Sequence, residues 1–283
     1  MASGDYAVVD EALTMRVQKE PSGLRRLATW MPRRPRDVAF PVTVGAGQFR
    51  GIGRLLVLSK LGEISRAVQA ALARMASPRS QEQAAHVAEV VPGTGAAPGV
   101  GAPPMVLVIS SMAGGSGASM TLDVCRLVAG VHSTPAIDPQ NISVFLYTAE
   151  VFESVPTHLR AGMPGNTLAM LGEIVAAQAG AEGRVARLDE ELYASLGIKN
   201  YAARAFKRAT PIGLRAGGSG AAFGDGTAEG VFRGIGRGLA RYISSPAFQD
   251  YVSYDNGNPV YAPDRELALV RSEERRVGKE CRS

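Results

Sequence analysis

The segment Met105–Ser119, MVLVISSMAGGSGAS, decides how this chain is read. Its first five residues, Met105–Ile109, are apolar without interruption, the pattern of a parallel strand covered on both faces. Ser110–Ser119 is then built of small residues, and a helix is expected from about Met120 to Val131, with Leu122, Cys125 and Val128 on adjacent faces. A strand, a small-residue loop and an immediate helix leave backbone N–H groups at a helix N-terminus, where unpaired donors and the helix dipole attract anions. Gly114, Gly115 and Gly117 have no Cβ, so a pyrophosphate can come close to the backbone, and Ser116 adds a hydroxyl. The bland alternative is a tight strand–helix turn that binds nothing. The spacing is not that of a Walker A loop, since no Lys-Ser/Thr pair follows the glycines. Nor is it G-x-G-x-x-G, because Met120 stands where the third glycine is needed.

Outward from this segment, strand and helix patterns alternate. Ile142–Tyr147 (ISVFLY) reads as the next strand, and Asn166–Ala179 as a helix with Leu168, Leu171, Ile174 and Val175 along its apolar side. Residues 182–191 read as an exposed loop or helix, and Thr210–Leu214 as a short strand. A long helix from Thr227 to Ser244 is stopped by Pro246. Towards the N-terminus, Tyr6–Val9 reads as a buried strand ending at Asp10, and residues 16–41 as an irregular loop. Gly45–Gly53 (GAGQFRGIG) is a second glycine-rich loop, followed by helical spacing from Arg54 to Met75. Residues 77–104 are rich in Ala, Gly and Pro and read as a flexible surface insertion. The pattern predicts an α/β domain with a mostly parallel, three-layer sheet.

Composition narrows the class. The chain has 283 residues, 46% of them apolar and 20% charged, enough for a substantial core. No G-X-Y period organises the glycines, which excludes collagen. No run of eighteen apolar residues and no signal peptide are present, so a cytoplasmic protein without direct membrane insertion is expected. Two cysteines and three scattered histidines (His86, His132, His158) exclude a disulfide scaffold and a structural zinc site. Residues 271–283 resemble the translation of a short-read sequencing adapter and are set apart as an artefactual or disordered tail. Five basic and three acidic residues lie there, so the net charge without it falls from +5 to +3, and Cys125 is the cysteine that remains. Nucleic-acid binding loses its support with that charge, and aromatic–basic interleaving is absent.

Ala113-Gly114-Gly115-Ser116-Gly117-Ala118-Ser119 resembles the tubulin/FtsZ signature G-G-G-T-G-S-G, departing at Ala113, Ala118 and Ser119, with Ser116 in place of Thr. Gly45-Ala46-Gly47-Gln48, with Gly53-Arg54 beyond, is similar to that family's G-A-G-x-N-P-x-x-G-R loop. Pro164-Gly165-Asn166 with Leu168 is similar to P-Y-N-A-x-L at the helix after the ribose loop. The loops look closest to those of divergent actinobacterial tubulin-like proteins. The resemblance implies a domain over residues 1–270 whose two glycine loops face the phosphates of GTP or GDP. It puts Asp10 near the nucleotide and a Mg2+ ion, makes Glu150 a candidate ribose contact, and counts Asn166 among the nucleotide-binding residues. Glu229 falls where the family has its base-reading Asn. A carboxylate there can still accept from the N1–H and 2-amino groups of guanine. Asp255, nine residues beyond Pro246, matches the family's catalytic acid, with Asp250 in the same segment. The implied partner is another copy of the chain, stacked head to tail, with hydrolysis coupled to assembly. The same mapping expects one more strand and phosphate loop before Tyr6 and further sequence after Val270.

Two readings compete. One is a tubulin-like scaffold that does not hydrolyse nucleotide. The other is a Rossmann-like dinucleotide enzyme, opposed by the missing acidic strand end about twenty residues after Gly117. Asp138 is near that distance, but it lies in a loop before the strand Ile142–Tyr147.

Overall fold

The computed structural model describes residues 5–38, 41–91, 104–131, 137–179, 184–199, 202, 204–216 and 219–245. The helices are α1 (Tyr6–Val17), α2 (Pro21–Ala28), α3 (Arg50–Ser59), α4 (Leu61–Met75) and α5 (Pro78–Val90), then α6 (Gly117–Gly130), α7 (Thr157–Arg160), α8 (Met163–Ala179), α9 (Arg184–Ser195) and α10 (Ala228–Ser244). The strands are β1 (Val106–Ser111), β2 (Ile142–Tyr147), β3 (Arg208–Ile212) and a small pair, β4 (Arg215–Ala216) and β5 (Ala221–Ala222). β1, β2 and β3 form a parallel sheet in that order, with Val106 opposite Ile142 and Ser143 opposite Arg208. β4 and β5 pair antiparallel. All three parallel strands therefore end at one edge.

The α/β class holds, with more helix than the sequence pattern suggested. Tyr6–Val9 is not a strand: it opens α1, whose buried residues Tyr6, Asp10, Leu13 and Val17 recur at helical spacing. Asp10 thus lies within a helix rather than on a loop after a strand. The stretch expected to be irregular holds α2, started by Pro21, whose fixed φ and missing N–H suit a first helical position. The long helical pattern from Arg54 is two helices that meet at Lys60. Residues 78–90 of the supposed insertion form α5. Pro78 opens it and the Ser77 hydroxyl caps it by accepting from the Ser80 N–H, yet none of its residues is buried. β1 was expected to be covered on both faces. It is instead an outer strand of the sheet among the described residues, half-buried along its length, with Ile109 52% exposed. β2, between its two neighbours, buries Ile142, Val144 and Leu146.

Two apolar clusters carry the fold. One joins α1, α2, α3 and α9 through Leu13, Val17, Leu27, Leu55, Leu58, Leu192 and Leu196. The other joins the sheet to α6 and α8 through Cys125, Ile142, Val144, Leu146, Met170 and Ile174. In that cluster burial pushes the Cys125 thiol up to about 12, so it packs as a small apolar group.

A buried ionic network lies between these layers. Asp189 of α9 accepts from Arg26 Nε at 2.6 Å, Arg54 Nη2 at 3.1 Å and Arg126 Nη1 at 3.0 Å. Arg54 also reaches Asp123 at 3.2 Å, and the Tyr193 hydroxyl donates to the same carboxylate at 2.5 Å. Burial alone would raise the pKa of Asp189, but Arg54, Arg26 and Arg126 outweigh it and hold the carboxyl below its ordinary value of 3.8.

Asp189→Asn is expected to cost about 3–5 kcal/mol, the usual penalty for stripping one partner from a buried pair, as measured by urea unfolding at pH 7. Because the folded-state value is depressed, this contribution is complete above the ordinary value and lost as pH falls through the lower one. The wild-type chain should therefore show a drop in stability below about pH 4 that the variant lacks. Equal stability of the two proteins at pH 7 would contradict the role given to Asp189.

Candidate functional site

Two glycine-rich loops meet at the carboxyl edge of the sheet. The first, Gly45–Gln48, leads into α3, and Gly45 and Gly47 take left-handed backbone angles (φ 103° and 54°). The second, Ala113–Ser119, joins β1 to α6. The Gly115 N–H donates to the Gly47 carbonyl at 2.7 Å, tying the loops together. Asn166, at the start of α8, donates from Nδ2 to the carbonyls of both Gln48 and Ala113, each at 2.9 Å. The Gly162 N–H donates to Gln48 Oε1 at 2.7 Å. Arg50 donates from Nε and Nη2 to the Ala118 carbonyl at 3.0 and 2.8 Å and forms an ion pair with Glu173.

The glycines of the second loop serve different purposes. A Cβ on Gly115 would sit 2.7–2.9 Å from backbone atoms of Phe49 and Ala46, and one on Gly117 would sit 2.3 Å from the Ser111 carbonyl oxygen. These two glycines are required by packing within the protein. A Cβ on Gly114 would meet only the Gly47 carbonyl, at 3.8 Å. The N–H groups of Gly114, Ser116 and Gly117 have no acceptor among the described residues, and neither have those of Gly47 and Gln48. The apposed loops thus present a group of unpaired donors around one open glycine, at the start of the fourteen-residue helix α6.

The other expected site residues are distributed around this pair of loops. Ser119 is buried, and its hydroxyl donates to the Gly115 carbonyl at 2.6 Å, fixing the turn. Glu150 follows β2 at the same sheet edge, half-buried, with Arg215 3.8 Å away. Glu229 stands on the first turn of α10, 78% exposed, with Arg233 at 3.6 Å. That helix is held near the edge by Phe232, whose ring packs edge-on against Tyr147 at 4.8 Å. Asp10 lies within α1. Thr14 Oγ1, one turn on along the same helix, donates to its Oδ1 at 3.5 Å, burial raises its pKa, and its Oδ2 is buried without a partner. Among the described residues no group of three acidic, His or Cys side chains could hold a metal ion. Asp250 and Asp255 lie outside the described residues.

Arg50, Glu173 and Thr167 escaped the sequence reading. Thr167 Oγ1 accepts from the Ala149 N–H at 3.2 Å, linking the residue before Glu150 to the one after Asn166. Arg50 was the findable one: a second cation beside Arg54 at the start of a glycine-rich loop–helix junction.

A parallel sheet with a glycine loop at the carboxyl end of β1 belongs to the open α/β class, in which ligands bind at that edge. This chain belongs to the tubulin-like family, whose model, described as "Tubulin like", matches residues 2–213. The match includes both glycine loops and Asn166 and ends before α10. No curated protein and no solved structure matches the chain. No helix among the described residues is long and apolar enough to cross a membrane.

Gly115→Ala is expected to cost about 1–3 kcal/mol, as overpacking against backbone generally does. Gly114→Ala should stay within about 0.5 kcal/mol of wild type. Chemical denaturation of the two variants side by side measures the difference. Equal losses would mean that the loops are not apposed as described.

Proposed function

We propose that the loops Gly45–Gln48 and Ala113–Ser119 hold the phosphates of a nucleotide, in keeping with the family. The observation that carries this reading is the set of unpaired N–H groups at Gly114, Ser116 and Gly117 beside an open glycine. Such donors suit phosphate oxygens, and the N-terminal dipole of α6 adds to the attraction. A bound nucleoside triphosphate would supply a transferable γ-phosphoryl group. The chain's own part is to orient it with backbone donors and with loops braced by Asn166 and Arg50.

Self-association head to tail is the second part of the proposal. The seventeen-residue helix α10 spans about 25 Å at ~1.5 Å per residue, and Asp250 and Asp255 follow it in sequence. A neighbouring copy's Asp255, with Asp250 close in sequence, would then polarise water at the phosphate. A heterologous contact of this kind builds filaments. The competing reading, a tubulin-like scaffold without nucleotide, draws on the packing demand that already explains Gly115 and Gly117.

Gly114→Val separates the two, because it fills the open position without entering the packed one. Isothermal titration with GTP, ATP and inorganic tripolyphosphate should show binding to wild type and at least a tenfold loss in the variant, whose circular dichroism stays unchanged. Equal affinity for all three ligands in both proteins would remove the loops from the site. Binding of none of them by wild type would favour the scaffold. Asp255→Asn should leave binding intact while lowering any turnover, and that turnover should rise more than linearly with protein concentration. Undiminished turnover at high dilution would exclude a contribution from a neighbouring copy.

A further inference from the structure

Thr29 closes the short helix α2, and its hydroxyl is the surface end of a run of contacts that reaches the buried ionic network. Its Oγ1 donates to the Arg26 carbonyl at 2.8 Å and accepts from Arg26 Nη1 at 3.4 Å. The same guanidinium donates from Nε to Asp189 at 2.6 Å. The Arg26 side chain is 15% exposed and that of Asp189 3%, whereas Thr29 is open to solvent. One arginine therefore joins a surface hydroxyl to the carboxylate that gathers α2, α3, α6 and α9.

The surroundings favour an anion at this hydroxyl. Residues 25–36 hold Arg25, Arg26, Arg33, Arg34 and Arg36 and no acidic residue. Arg25, Arg33 and Arg36 are exposed, with no hydrogen-bond or ion-pair partner among the described residues. Arg25 and Arg26 precede Thr29 by four and three positions, a charge pattern that suits the acidic substrate groove of a protein kinase. The C-terminal turn of α2 must open to enter such a groove, and helix ends are where local opening costs least. Ser77 and Ser244 also have an arginine three positions before them. Their hydroxyls bond to main-chain groups and, for Ser77, to Ser80, and neither touches an arginine side chain.

We propose that Thr29 is a phosphorylation site for a Ser/Thr protein kinase directed to basic substrates, and that its phosphate draws Arg26 away from Asp189. In the transfer the Thr29 oxygen bonds to the γ-phosphorus of ATP, the bond to the ADP oxygen breaks, and the hydroxyl proton passes to the kinase's catalytic base. The product carries a charge of about −1.5 to −2 and three strong acceptor oxygens at pH 7. Arg26 Nη1 already lies beside the oxygen that would be esterified, and charge-assisted bonds to phosphate are among the stronger ones. Asp189 then keeps Arg54 and Arg126 but loses its tie to α2. The new anion also sits at the negative end of that helix dipole. Both effects loosen α2 from α9.

The whole chain is incubated with Mg2+-ATP and an arginine-directed Ser/Thr kinase, and the acceptor is located by peptide mass spectrometry. Phosphate is expected on Thr29, absent from that position in Thr29→Val and reduced there in Arg25→Gln, which removes an exposed recognition charge. Urea unfolding of the phosphorylated chain should show a folded-to-unfolded ratio lowered about tenfold, the size of one charge-assisted hydrogen bond. Thr29→Val alone should stay within about twofold of wild type. Trp30, next in sequence and the chain's single tryptophan, should shift its emission on phosphorylation. Thr29→Glu should lower stability in the wild-type background and leave an Arg26→Gln background unchanged, because the contested guanidinium is gone. Absence of phosphate from Thr29, whether or not Ser77 and Ser244 are labelled, would overturn the site. Label on Thr29 with unaltered unfolding and Trp30 emission would overturn the displacement of Arg26. An equal loss from Thr29→Glu with and without Arg26 would do the same, tracing the effect to the helix dipole.

Discussion

Asp189 accepts hydrogen bonds from Arg26, Arg54 and Arg126 inside the protein, and the placement of the other elements depends on that contact. Three guanidinium groups and two carboxylates have left water, a large desolvation cost that their mutual attraction only partly offsets. The pairing is also imperfect, since Arg54 Nε and Asp123 Oδ2 are buried without partners. Hydrophobic residues of the same volume would serve stability as well. What the network adds is position. Arg54 on α3 and Asp123 on α6 must face each other, and each glycine loop immediately precedes one of these helices. Fixing α3 against α6 therefore brings the loops together. A Cβ on Gly53 would lie 2.3 Å from Ser119 Oγ and 2.5 Å from the Gly115 carbonyl, which shows how close that approach is.

Much of this was legible in the chain. The uninterrupted apolar run before SSMAGGSGAS announced β1 and the start of α6, and ISVFLY matches β2 residue for residue. Asn166 and the two loops were read as parts of one site and do converge. The failures have physical causes. Tyr6–Val9 alone looks like a strand, and only the further spacing to Leu13 and Val17 reveals a helix. Residues 182–191 looked solvated because they are charged, but Asp189 is buried precisely where three distant arginines neutralise it. Partners 163, 135 and 63 residues away leave no local trace in sequence.

The glycine motif shows the same limit at finer scale. Gly114, Gly115 and Gly117 look equivalent on paper, yet two of them make room for protein backbone and one faces open space. Asn166 was expected to touch a ligand. Its amide donates to two loop carbonyls and it is 8% exposed, so it braces the two loops against each other. A motif can record the needs of packing and of binding in the same few letters, and only the neighbours of each position tell them apart.

The reach of Asp189 also has a consequence in time. The N-terminal helices α1, α2 and α3 share their apolar cluster with Leu192, Tyr193 and Leu196 of α9. Arg54 waits 69 residues for Asp123 and 135 for Asp189, the longer interval being roughly 7–27 s of synthesis at common elongation rates. During that interval the first sixty residues leave the ribosome with an apolar face and unpaired arginines that nothing downstream yet covers. The layer that cradles the first glycine loop is thus made early and completed late, and the nascent chain has most need of a chaperone before α9 emerges.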